Sequence, residues 1–128
     1  MKSKAMGILA MLCSMMGCNA QKDEFKSLSV EEYAKAIEDT MVVRLDVRTA
    51  EEFSAGHISK AINIDVQQGD FAEKATKCLP KDKTIAVNCR SGKRSKKAAS
   101  ILARHGFKVI ELDAGINDWV NAGMPVSK

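Results

Sequence analysis

The stretch from Thr84 to Gly106 constrains this chain more than any other. Ile85, Ala86 and Val87 make an apolar, β-prone run, the pattern of a strand covered on both faces. A polar loop, Cys89-Arg-Ser-Gly-Lys-Arg-Ser95, follows at once. From Ser95 to His105 the residues Ala98, Ile101 and Leu102 recur at helical spacing, and Gly106 is a natural left-handed stop. Strand, tight loop and helix in that order place Cys89 at the carboxyl end of a parallel strand. That is where open α/β sheets hold their ligands.

The surroundings of Cys89 favour the thiolate, the nucleophilic form of cysteine. Loop N–H groups and the free N–H groups of the helix start direct partial positive charge at the sulfur. Arg90, Lys93 and Arg94 add side-chain cations. A cysteine at a strand end is more commonly a small buried hydrophobe. The charged and polar residues directly after Cys89 argue for chemistry instead.

The loop Cys89-Arg90-Ser91-Gly92-Lys93-Arg94-Ser95 resembles the active-site loop of single-domain rhodaneses, sulfurtransferases that carry a persulfide on cysteine. Leu45-Asp-Val-Arg48 with Glu52-Phe53 and Gly56-His57-Ile58 agrees with that family, as does Gly115-Ile-Asn-Asp-Trp119 leading to Ala122-Gly123-Met-Pro125. The similarity spans roughly residues 29–126. It implies a rhodanese-like α/β fold, a central parallel sheet with helices on both faces. It also implies that Cys89 is catalytic and that Arg90, Ser91, Gly92, Lys93, Arg94 and Ser95 bind substrate. The expected donor is thiosulfate or a similar compound, and the acceptor cyanide, a thiol or a protein cysteine. Arginines at 90 and 94 resemble the thiosulfate-using branch rather than the mercaptopyruvate branch, whose loop reads Cys-Gly-Ser-Gly-Val-Thr. The resemblance further implies that Asp46 and Arg48 support the loop from behind, with Arg48 also contributing to the pocket.

Two other readings stand beside this one. A rhodanese-like domain can serve as a persulfide carrier or protein-binding module with little turnover. A cysteine-dependent phosphatase shares the fold, but its loop holds one more residue between cysteine and arginine, and the smaller ring here suits a single sulfur. A nucleotide-binding P-loop around Gly92-Lys93 is excluded, because Val87 stands where it needs glycine and Arg94 where it needs Ser or Thr.

The chain has 128 residues, 45% of them hydrophobic, enough for one modest core. Its formal charge of +4 falls to +2 once Lys2 and Lys4 of the leader are set aside, which gives no case for nucleic acid. Residues 1–17 read as a signal peptide, with a charged start and an apolar run too short to span a bilayer as a mature helix. Met15-Met-Gly-Cys18 resembles a bacterial lipobox, making Cys18 the lipidation site of an exported lipoprotein, periplasmic or outer-membrane-anchored. Ordinary cleavage after Ala20 and an internal apolar helix of a cytosolic protein are the rivals. Residues 18–28 read as a tether and 29–128 as the domain.

Ser29 with Glu32 and Thr49 with Glu52 form capping-box patterns that open short helices, the first reaching Ile37 and the second Ala55. Strands are expected over 41–47, 61–64 and 108–112, and further helices over 67–77 and 115–121. Of four cysteines, two fall in the domain, Cys78 and Cys89, at opposite ends of the sheet, so a bridge is not expected and Cys78 reads as inert. No Cys or His pair has the close spacing of a metal site, and no cofactor is implied. His57 reads as a loop histidine and Trp119 as the core anchor of the last helix.

Overall fold

The computed structural model describes residues 24–128. The proposed leader, residues 1–17, and the lipidation site Cys18 lie outside the described residues. The elements run β1 (Lys26–Leu28), α1 (Val30–Ala36), β2 (Val42–Asp46), α2 (Ala50–Ala55), β3 (Ile62–Asn63), α3 (Phe71–Cys78), β4 (Thr84–Asn88), α4 (Lys93–Arg104), β5 (Lys108–Leu112) and α5 (Gly115–Asn121). The five strands form one sheet in the order β1-β5-β4-β2-β3, and each pairing is parallel. β4 is the middle strand, flanked by β2 and β5.

Alternation along β4 divides the core. Ile85, Val87 and Cys89 join a cluster with Ala98, Ala99 and Leu102 of α4 and Phe71 and Ala75 of α3. Ala86 faces the opposite layer, where Tyr33 of α1 and Ile37 at its C-cap pack with Ile116 and Trp119 of α5. The sheet is thus covered on both faces, which is why its central strand reads as an unbroken apolar run. Trp119 is buried and meets Tyr33 edge-on at 6.1 Å, the core anchor of the last helix that was expected, and its Nε1–H also donates to the Pro125 carbonyl at 2.8 Å and so ties down the tail.

Both capping boxes are present, Ser29 with Glu32 and Thr49 with Glu52. Elsewhere the boundaries differ from the sequence reading for local reasons. The third helix starts at Phe71 instead of Gln67, because Asp65 accepts from the Gln67 N–H at 2.9 Å and turns the chain first. α4 starts at Lys93, two residues before the expected Ser95. The strand expected over 61–64 shrinks to Ile62–Asn63, at the sheet edge.

The tether assignment needs correction at its end. Lys26–Leu28 is a strand paired with Ile110–Leu112 of β5, so the domain begins before Ser29. Three residues with a single apolar side chain carry no strand periodicity of their own; the neighbouring strand imposes it.

Candidate active site

Cys89 follows β4 directly, and α4 begins four residues later. Its Sγ accepts from the Gly92 N–H at 3.1 Å and lies 3.4 Å from the Ser95 hydroxyl. At 1% exposure the residue also belongs to the hydrophobic cluster under α4. The sequence reading set chemistry against packing at this position; the side chain packs in the core while its sulfur accepts a loop N–H.

Two glycines permit the loop's tight path. Gly92 has φ +104°, and a Cβ there would lie 1.9 Å from the Asp113 carbonyl oxygen. Gly115 has φ +72°, and its Cβ would meet the Arg90 carbonyl at 2.3 Å. The first turn of α5 therefore abuts the loop backbone: the Ile116 N–H donates to the Cys89 carbonyl at 2.8 Å and the Asn117 N–H to the Arg90 carbonyl at 3.0 Å.

The sequence-derived site residues are brought together unequally. Arg90, Ser91 and Lys93 are exposed on the outside of the loop, while Gly92 and Ser95 are buried beneath it. Arg94 is half-buried and held by both oxygens of Glu52, at 2.8 and 2.9 Å. That bidentate contact draws the Glu52 carboxyl down to about 2 and raises the Arg94 guanidinium above its ordinary value. Arg94 is thus a positioned cation already engaged with a carboxylate, and the loop's unpaired cations among the described residues are Arg90 and Lys93.

Asp46 and Arg48 form a buried ion pair at 2.7 Å. Asp46 also accepts from the Arg48 backbone N–H, and Arg48 donates to the Gly56 carbonyl at 2.7 Å. The pair ties the end of β2 to the exit of α2 and so places Glu52. Arg48 and Glu52 line a hollow of about 430 Å³ with Ile116, Asn117, Val120 and Val126. His57 stacks on Phe53 at 3.8 Å and its Nδ1 lies 2.9 Å from the Phe53 carbonyl, a structural placement. The backbone of His57 pairs with that of Ser127, which brings the tail to this hollow.

Four contributors were given no site role in the sequence reading. Glu52 and Gly115 stood in the motifs that carry the resemblance, Glu52 also as a helix cap, but neither was assigned to the site. Glu111 is fully buried below the loop, where it accepts from Ser27, Ser95 and Lys96. Lys96 reaches from α4 to Glu111 and Asp113. Glu111 within Val109-Ile-Glu-Leu112 is an acid inside an apolar strand, the one sequence signal that could have drawn attention. Among the described residues no group of three or more His, Cys, Asp or Glu side chains is gathered to hold a metal.

Residues 29–122 match the model of the rhodanese-like domain. The chain is 35% identical over 103 residues to the Bacillus subtilis protein YtwF, covering 80% of this chain and 97% of that one. It is 35% identical over 98 residues to the thiosulfate sulfurtransferase GlpE of Pseudomonas savastanoi, covering 75% and 88% respectively. The crystal structure of a rhodanese-related protein from Thermoplasma volcanium superimposes with a TM-score of 0.72 at 32% identity, over 80% of this chain and 97% of that one.

Proposed function

Because the chain belongs to the rhodanese-like family, we propose that it transfers sulfane sulfur from thiosulfate or a similar donor through a persulfide on Cys89. The observation that carries this reading is the sulfur's position: Sγ accepts from the Gly92 N–H at the start of α4, beneath the exposed cations Arg90 and Lys93. The Cys89 thiolate attacks the outer sulfur of thiosulfate. The donor's sulfur–sulfur bond breaks, and sulfite leaves with the electron pair. The new persulfide gives its outer sulfur to a thiophile (cyanide in an assay, a thiol or protein cysteine otherwise), and the thiolate returns. Backbone N–H groups of the loop stabilise the anionic intermediate, an electrostatic contribution that needs no reorganisation.

The test is the mass of the Cys89 peptide from the full chain after thiosulfate, then after cyanide. The expected result is a gain of one sulfur that cyanide removes as thiocyanate. No gain, with Cys89 free to alkylation, overturns thiosulfate as donor.

The carrier reading draws on Val120 and Val126, exposed apolar side chains at the hollow beside the loop. Partner capture that survives Cys89→Ser, with negligible thiocyanate from the wild type, would favour it. The phosphatase reading needs a wider loop, and only Arg90, Ser91, Gly92 and Lys93 stand between Cys89 and Arg94. Export as a lipoprotein through Cys18 is the accompanying proposal; its support is Lys2, Lys4, the apolar run and Met15-Met-Gly-Cys18. Labelled fatty acid incorporated by the wild type and lost in Cys18→Ser would bear it out, and labelling of neither would sink it.

A further inference from the structure

Ser95 has one hydroxyl proton and three acceptors within reach: Glu111 Oε2 at 2.5 Å, the Gly92 carbonyl at 3.1 Å and Cys89 Sγ at 3.4 Å. A carboxylate outcompetes a carbonyl and a sulfur for that proton. The hydroxyl's lone pairs are then left for Sγ, so Ser95 accepts from a thiol S–H and opposes a sulfur anion. The geometry points to Glu111 as a positioning residue for Cys89: acting through Ser95, it holds the sulfur in its protonated resting form until the hydroxyl turns. This deepens the proposed function, and it rests on Cys89 being the reacting sulfur.

The arrangement sets two acceptors against one proton. Glu111 is fully buried and draws its donors from Ser27 on β1 and from Ser95 and Lys96 on α4. When Cys89 loses its proton, Ser95 must rotate toward Sγ, and Glu111 surrenders one of three donors where water cannot replace it. A cation flanks each of the two acceptors, Lys96 beside Glu111 and Arg94 beside Cys89. Burial alone would lower the Lys96 ammonium, but the contacts with Asp113 and Glu111 outweigh it and raise it, so a cation remains beside Glu111. Arg94, on the same helix as Lys96, lies near the Cys89 sulfur. On the other face of the sheet Tyr33 is buried, which raises its phenol, so it adds no charge.

Alkylation of Cys89 by iodoacetamide as a function of pH, read at the Cys89 peptide of the full chain, tests this directly. The readout does not depend on the sulfur donor, so failure of thiosulfate chemistry and failure of this inference are separable. Glu111→Gln frees the Ser95 proton for the sulfur. It should displace the profile to lower pH by about one unit, about tenfold faster alkylation on the acid limb. In a Ser95→Ala background the same substitution should change the rate by less than about threefold. A profile superimposed on wild type, one displaced to higher pH, or a full displacement surviving in Ser95→Ala would each overturn the coupling. Should Glu111→Gln not fold, the infrared S–H stretch of Cys89 decides, assigned by its loss in Cys89→Ala. It should lie at lower frequency in wild type than in Ser95→Ala, and equal frequencies would refute the contact.

Discussion

Two free thiols lie in this domain, and the less accessible one has the chemistry around it. Cys78 ends α3, exposed, in a hollow shared with Glu51, Asp65 and Lys74. Cys89 is 1% exposed, yet its sulfur accepts a backbone N–H and has Ser95 and Arg94 close by. The difference lies in direction, not access. α3 ends at Cys78, so the nearest helix terminus presents carbonyl oxygens, whereas α4 begins beside Cys89 and presents N–H groups. The sulfur at the second place has a backbone donor, Gly92 N–H, within reach.

The sharpest way to break that contrast is to exchange the two sulfurs for oxygen. Cys89→Ser should abolish thiocyanate formation altogether, while Cys78→Ser should retain wild-type turnover. Equal losses in both would erase the distinction. Next in size, Gly115→Ala forces a Cβ against the Arg90 carbonyl at positive φ, and should destabilise the fold by more than about 2 kcal/mol in urea melts. A substitution at exposed Lys77, in the last turn of α3, should stay within about 0.5 kcal/mol. Arg94→Ala removes a charge-assisted contact and should raise KM for thiosulfate about tenfold, with less effect on kcat. An unchanged KM would confine Arg94 to holding Glu52.

The smallest effect is a pH dependence. Glu52 is held near 2 in the folded chain against an ordinary 4.5, chiefly by the Arg94 hydrogen bonds. A depressed carboxylate contributes stability present above the unfolded value and lost as pH falls through the folded one. Stability should therefore decline between about pH 4.5 and 2 on this account, and Glu52→Gln should flatten that limb of a thermal-melt series. The pair is partly exposed, so solvent screens it and the slope is modest.

How far each of these features could be read in advance depends on how it is encoded. The strand, loop and helix around Cys89 are contiguous, so periodicity and turn chemistry locate them. The capping boxes are legible for the same reason, as Ser29 and Thr49 find their partners three residues on. Glu52 and Arg94 are 42 positions apart, and Ser95 and Glu111 are 16 apart on different elements. Those encounters exist only once β2, β4 and β5 lie side by side. Strand β1 has the same origin: Lys26-Ser-Leu28 becomes a strand because β5 offers it an edge.

Strand β1 also gives the molecule a polarity. Since all five strands run the same way, every strand starts at one end of the sheet and points toward the end that holds the Cys89 loop. The chain enters β1 from the starting end, where Glu24 is tied to Ser100 and Arg104 of α4. A five-residue strand separates the two ends by roughly 17 Å. The proposed Cys18 anchor would therefore join the described domain at the end of the sheet opposite the Cys89 loop.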